Sequence, residues 1–276
     1  MKVLITDTEN NIGKHISNYL SKNNIIYGFN KDSLYLPDKT KTLELIFDIK
    51  PDIVIHTSSM DNLELCEEDE SMAYTLNTIG SLNTAYPCSL LDIPILYFST
   101  SYVYEGTKNS PYYETDECSP LNIYGKTKLA SEKLIRTLCK KFFILRTSWI
   151  YGGMDCFVKN VLQNKDANIF MSTNEIGNPT YILDLCAAVE KIMCSNLYGI
   201  YNCAPSSFIS KAEWVRYIFQ LSAIKKEVFI LPDEIMRGKA LRPLNAALNT
   251  KLIANCFDIQ FPDWQNSLQK YLKLTK

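Results

Sequence analysis

A chain of 276 residues with 46% hydrophobic and 21% charged residues is long enough to bury one large core, or a main domain plus a smaller lobe. The formal net charge is −1 and no Lys/Arg-rich block occurs, which argues against nucleic acid or an anionic membrane surface as partner. Nine cysteines, none in a C-x-x-C pair, argue against a zinc site or a disulfide framework; thiols in apolar stretches suit a reducing cytoplasm.

The start, MKVLITD, reads as a short strand and lacks the apolar run of a signal peptide. Val3 to Thr6 forms that strand. Ile12, Ile16 and Leu20 then recur at four-residue spacing, as on one face of a helix. Ile25 to Phe29 reads as a second strand and Leu43 to Ile49 as a helix ending before Pro51. Asp52 to His56 is a third strand, apolar on both faces as buried parallel strands are. Ser71 to Tyr86 predicts a helix and Ile93 to Ser99 a fourth strand. A loop rich in Tyr, Pro, Glu and Asp runs from Tyr104 to Asn122. A helix over Tyr124 to Cys139 and a fifth strand over Phe142 to Thr147 follow. Beyond Gly153 the pattern loosens, with helices expected near 155–164, 182–195 and 210–222 and strand-like pieces at 168–171, 198–203 and 227–231. No run approaches the roughly 20 apolar residues of a membrane span.

Strand–helix alternation at this pitch predicts an α/β fold with a doubly wound parallel sheet, Rossmann-type, and a smaller C-terminal α/β lobe. Residues 1–153 are expected to form the dinucleotide-binding part. Residues 154–276 are expected mainly to bind substrate over the carboxyl ends of the strands, though later segments can return to the sheet.

A dinucleotide site needs a tight turn after the first strand, with glycines that let the pyrophosphate approach a helix N-terminus. Here the turn reads Thr6-Asp7-Thr8-Glu9-Asn10-Asn11-Ile12-Gly13, and of the three glycine places only Gly13 is kept. Asp7 and Asn10 tolerate left-handed backbone angles, so the turn is expected to form. Asn10 adds bulk and Asp7 and Glu9 add negative charge where a diphosphate should rest, so weakened cofactor binding is expected. At the end of the second strand, Asn30-Lys31 replaces the acidic residue that selects a free ribose; Lys31 offers a charge to a 2′-phosphate. That favours NADPH, with NAD as the other option.

Tyr124 and Lys128 stand four apart at the head of a strong helix, hence on one face. A ketone reductase must hand a proton to the forming alkoxide, and an ammonium beside a phenol favours the phenolate. Ser99 and Thr100, at the tip of the fourth strand, offer hydroxyls to hold the carbonyl oxygen. Tyr-x-x-x-Lys also occurs at Tyr27/Lys31, Tyr35/Lys39 and Tyr104/Lys108, but in strand ends or loops where the pair need not converge.

Several stretches, in order, resemble the dTDP-4-dehydrorhamnose reductase family of extended short-chain dehydrogenases. They are Tyr97 to Gly106, Glu114-x-Asp116, Ser119 to Glu132 with Tyr124-Gly125-Lys126-Thr127-Lys128, Arg146 to Gly152, Gly177 to Leu185, and Arg242-Pro243. The resemblance covers almost the whole chain. It implies Thr100, Tyr124 and Lys128 as catalytic residues, Tyr102 and Trp149 lining a sugar pocket, and Thr180 and Arg242 helping to hold a nucleotide sugar. It further implies that His56, Thr57 and Ser58 pass along the dinucleotide, and that Asn77 and Asn83 lie in the helix beneath it. The chain departs from the family at the glycine loop, at Lys31 and at Ser101, which stands beside the catalytic threonine in place of an aspartate. His15 stands where the family's dimer-bridging metal site has a glutamate, so no metal is expected.

The resemblance implies an NAD(P)H-dependent reductase of a nucleotide-linked 4-keto-6-deoxy sugar, serving deoxysugar and surface-polysaccharide synthesis. Such a protein is expected in the cytoplasm as a monomer or homodimer. Two other readings stay open. One is a non-catalytic regulatory or binding subunit, favoured by the damaged loop. The other is an epimerase or dehydratase, disfavoured because Ser101-Tyr102 supplies no carboxylate after the threonine.

Overall fold

The protein is described by a computed structural model, in which residues 1–153, 156–166, 168–171, 175–231 and 238–275 are described. Strands β1 (Lys2–Ile5), β2 (Ile25–Gly28), β3 (Ile53–His56), β4 (Ile95–Thr100) and β5 (Phe142–Thr147) alternate with helices α1 (Asn11–Leu20), α2 (Lys39–Ile49), α3 (Leu63–Glu68), α4 (Glu70–Ala73), α5 (Gly80–Leu90) and α6 (Ile123–Leu138). A π-helical turn, Tyr74–Ile79, joins α4 to α5.

Strand alternation sorts the core. Val3, Ile5, Ile55, Leu96 and Phe98 face one side and pack with Ile16 and Leu20 of α1. Leu4, Val54, Ile95 and Tyr97 face the other, against Ile46, Ala85 and Ile135 of α2, α5 and α6. Both faces of every central strand are therefore covered, which explains their unbroken apolar sequences.

The main sheet has six parallel strands in the order β10-β5-β4-β3-β1-β2. Strand order reverses between β1 and β3, and the crevice outside their carboxyl ends is where such sheets bind ligands. The sixth strand, β10 (Gly199–Asn202), comes from the second half of the chain and pairs with β5. The expected division at residue 153 is thus crossed by a segment that returns to the sheet.

The rest of the second half supplies β6 (Ile150–Tyr151), α7 (Phe157–Gln163), β7 (Ile169–Met171), β8 (Ile176–Gly177), β9 (Thr180–Tyr181), α8 (Ile182–Met193), β11 (Ile209–Ser210), α9 (Lys211–Leu221) and β12 (Val228–Ile230). Helices Lys251–Phe257 and Trp264–Leu274 close the chain; the sequence reading had placed neither, nor α3. Lys251–Phe257 is too short to show a period, whereas Trp264–Leu274 does carry one, burying Trp264, Leu268, Tyr271 and Leu272. Among the described residues, no helix is long and apolar enough to cross a membrane.

Candidate active site

A helix cap and a close-packed glycine position the reaction centre. The Asn122 side chain accepts the Gly125 amide at 2.8 Å and starts α6 there. Gly125 then lies so close to the turn after β4 that a Cβ would sit 2.3 Å from the Tyr102 carbonyl oxygen. Only glycine lets the head of α6 press against the strand tip. That contact brings Tyr124 and Lys128 beside Thr100, whose strand neighbour on β5 is Thr147.

These groups line one cavity of about 310 Å³ together with Asn10, Asn11 and Ile12 at the head of α1, and Thr57, Asp61 and Trp149. The sequence had not singled out Asp61, Thr147, Ile150 or Phe157. Thr147 was findable as the last residue of a strand beside β4, whereas Asp61 sits in an irregular loop with no periodicity to mark it.

Lys128 is 4% exposed, and among the described residues its ammonium has neither an ion-pair nor a hydrogen-bond partner. It rests instead 4.3 Å above the centroid of the Tyr97 ring. Burial lowers its pKa to about 7, with Asp61 and then Glu132 pulling the other way. Burial likewise pushes the Tyr124 phenol well above its usual value; Asp61 adds to the shift and the Thr100 hydroxyl opposes it. A lowered phenol is what the sequence predicts; burial, the largest cause, raises it instead.

A buried ion pair fixes α6 against the sheet. Arg146 of β5 donates from Nε to Glu132 Oε1 at 3.0 Å and from Nη2 to Oε2 at 2.6 Å, a two-pronged geometry. The Ser99 hydroxyl donates to the same carboxylate at 2.5 Å, and Arg146 Nη1 reaches the Tyr104 hydroxyl at 2.7 Å. Glu132 lies two turns along α6 from Tyr124, so this cluster sets the helix's register against Thr100.

The β1–α1 turn is built differently from a glycine-rich one. Asp7 Oδ1 accepts the Glu9 and Asn10 amides at 3.0 and 3.2 Å. Asn10 caps α1, accepting from Gly13 N at 2.8 Å, while its Nδ2 donates to the Thr57 carbonyl at 2.8 Å. Neither residue is left-handed: Asn10 has φ −68°, and Asp7 is not among the positive-φ residues. Side-chain hydrogen bonds, rather than unusual backbone angles, make this turn. Gly13 is indispensable for packing, since a Cβ there would meet the Asp7 carbonyl oxygen at 1.7 Å. The Asn11 and Ile12 amides, at the first two helical positions, have no acceptor among the described residues.

A family model described as the RmlD substrate binding domain matches residues 1–276. The chain belongs to that family. It is 30% identical over 276 residues to the spore coat polysaccharide biosynthesis protein SpsK of Bacillus subtilis, covering 99% of this chain and 97% of that one. It is 30% identical over 286 residues to the dTDP-4-dehydrorhamnose reductase of Aggregatibacter actinomycetemcomitans, with 97% of each covered. A solved dTDP-4-dehydrorhamnose reductase from Bacillus anthracis, in complex with NADP, superposes with a TM-score of 0.94 at 29% identity over 99% of both chains.

Against this RmlD-family frame, several expected site residues lie elsewhere. His56 does not reach the cavity. The Thr57 and Ser58 amides donate to Thr6 Oγ1 at 3.0 and 3.2 Å, and the Thr6 hydroxyl faces His56 Nδ1 at 3.0 Å. His56 Nε2 faces Ser81 Oγ at 2.9 Å, and the Ser81 hydroxyl donates to the Asn77 carbonyl at 2.5 Å. A carbonyl can only accept, so the imidazole must donate from Nε2 and accept at Nδ1. Burial holds the His56 pKa at about 3 and keeps the ring neutral.

Asn77 is also buried. It clasps Met60 through both backbone groups and donates to Thr127 Oγ1 at 2.9 Å, joining the π-helical turn to α6. Ser101 is 1% exposed and Thr180 wholly buried, the latter donating to the Asn178 carbonyl; neither lines the cavity. Arg242 pairs with Glu64 at 2.9 Å and faces a second cavity, of about 650 Å³, bounded by residues 105–111. Tyr102 stands near Glu175 and Arg242. Asn30 donates to Glu9 at 2.7 Å, and Lys31 is exposed at the end of β2.

Proposed function

We propose that the protein reduces the C4 keto group of a nucleotide-linked 4-keto-6-deoxy sugar, using NADPH in preference to NADH, in deoxysugar and polysaccharide synthesis. The observation that carries this reading is the convergence of Thr100, Tyr124 and the buried Lys128 ammonium on one cavity at the carboxyl edge of the sheet. The reductases named above share the fold over nearly the whole chain.

The residues fit a dinucleotide. The unpartnered Asn11 and Ile12 amides at the head of α1 suit a pyrophosphate. Lys128, without an acceptor among the described residues, suits ribose hydroxyls. Exposed Lys31 suits a 2′-phosphate. When bound, the reduced nicotinamide supplies a hydride to the C4 carbonyl carbon. The Thr100 hydroxyl holds the carbonyl oxygen and Tyr124 gives it a proton as the C=O π bond breaks. Lys128 stabilises the resulting phenolate, which is reprotonated from water. Trp149 walls the sugar side of the cavity, and residues 154–276 mainly recognise the rest of the substrate, with Arg242 offered to its phosphates once it leaves Glu64.

Mixing the protein with NADPH and dTDP-4-keto-6-deoxy sugar and following the loss of reduced-nicotinamide absorbance tests this. Consumption is expected, faster with NADPH than with NADH. One observation favours the non-catalytic reading: Asn10 and Thr57 are bonded across the crevice. Undetectable cofactor binding at millimolar concentration would put that reading ahead.

A further inference from the structure

We infer that the Tyr97 ring is a positioning residue for Lys128: its face seats the lysine ammonium beneath the cavity and keeps it charged there. The inference rests on the reductase reading for its consequence in turnover, but not for its geometry.

A buried ammonium normally finds a carboxylate, or loses its proton. Among the described residues Lys128 has neither carboxylate nor carbonyl within bonding distance, yet it is 4% exposed. What lies under it is an aromatic face at 4.3 Å, well inside the range where the ring quadrupole attracts a cation. Tyr97 is 1% exposed and cannot swing away, because its other neighbour, His56, stacks at 5.5 Å with an interplanar angle of 25°. That imidazole is neutral and itself fixed by Thr6 and Ser81. The Tyr97 hydroxyl makes no close hydrogen bond among the described residues, though the Ser131 and Ser81 hydroxyls lie near it.

The seat has a mechanistic logic. A carboxylate at this place would hold the ammonium tightly and compete with ribose hydroxyls and with the nascent Tyr124 phenolate for it. A ring face attracts the charge while leaving all three N–H donors free. The groups that bear on Lys128 are Asp61 from the loop before α3, Glu132 and Tyr124 from α6 itself, His56 from β3 and Tyr97 from β4. Of these, Glu132 is already held by Arg146.

The test reads the lysine directly. Trace acetylation by acetic anhydride across a pH series, followed by mass spectrometry of the Lys128 peptide, reports its titration with or without turnover. Tyr97→Phe should leave that titration in place. Tyr97→Leu and Tyr97→Met, two non-aromatic fillings checked for folding by circular dichroism, should move it down by about one pH unit. The alkaline limb of kcat/KM should move to lower pH with them, because the amine loses its proton sooner. An unmoved Lys128 titration in both non-aromatic variants overturns the inference, as does an equal shift in Tyr97→Phe. Absence of NADPH consumption by the wild-type protein would sink the reductase reading while leaving the labelling result to decide this one.

Discussion

The two halves of the ligand crevice are furnished in opposite ways. On the β4–α6 side, Lys128 has no hydrogen-bond or ion-pair partner among the described residues and lines the cavity with Tyr124 and Thr100. On the β1–β3 side, nearly every polar group is bonded to another part of the chain: Asp7 holds two amides, Thr57 exchanges hydrogen bonds with the Asp7 backbone, and Asn10 spans from α1 to Thr57. Unsatisfied buried polar groups are costly, and they persist where a ligand completes them. The first half is therefore the one that we propose a ligand completes. The second is bonded to itself, and among the described residues leaves the Asn11 and Ile12 amides open.

Removing the phenol hydroxyl is the harshest way to break this contrast. Tyr124→Phe should cut kcat by about 10²- to 10⁴-fold, the usual worth of a positioned proton donor, with NADPH affinity nearly unchanged. Full turnover by the variant would show that Tyr124 is not the acid.

Next in size is the cluster that holds α6 in register. Glu132→Ala strands the Arg146 guanidinium, 97% buried, without its carboxylate. Breaking such a pair from one side costs about 3–5 kcal/mol, so the urea midpoint should fall sharply. A midpoint close to wild type would mean that Arg146 finds compensation from Tyr104 and the Glu114 carbonyl alone.

The polar lacing of the β1–β3 side also has a pH signature. The His56 pKa falls from its ordinary value near 6.5 to about 3 in the fold, chiefly by burial, so the unfolded chain binds the extra proton between those values. Stability from this group is fully present above about pH 6.5 and is lost as pH falls towards 3, at up to roughly 1.4 kcal/mol per pH unit. Urea midpoints at pH 6.5 and 4.5 should converge in His56→Gln relative to wild type. An equal drop in both proteins would place the acid sensitivity elsewhere.

Much of the fold was legible because its signals are local. β5 is found where its apolar run stands, and β4 and α6 differ from expectation by one or two residues at their ends. Convergence of Thr100, Tyr124 and Lys128 was legible too, since a helical turn and a strand tip are enough to state it. Three things were not. The Tyr97 seat depends on which face of β4 meets α6. The Arg242–Glu64 pair joins residues 178 positions apart. The turn after β1 was read through backbone angles, when side-chain bonds from Asp7 and Asn10 settle it. Long-range pairing leaves no period in a sequence, and burial, which lifts rather than lowers the Tyr124 pKa, belongs to the assembled cavity alone.

The smallest effect expected is also the one that separates the two ways of reading the β1–α1 turn. Returning glycine to both missing places would confound them, because Asp7 holds the Glu9 and Asn10 amides and its loss would loosen the turn itself. Asn10→Gly alone is the cleaner change. Glycine is a tolerable N-cap, costing only a few tenths of a kcal/mol against asparagine. It removes the bridge to Thr57. If the bridge stands in the way of a pyrophosphate, NADPH should bind about three- to tenfold more tightly, or about 1 kcal/mol, as measured by fluorescence titration. If the bridge is instead the scaffold that keeps Asn11 and Ile12 presented, binding should weaken, and the side-chain-built turn would have to be counted as a working substitute for glycine.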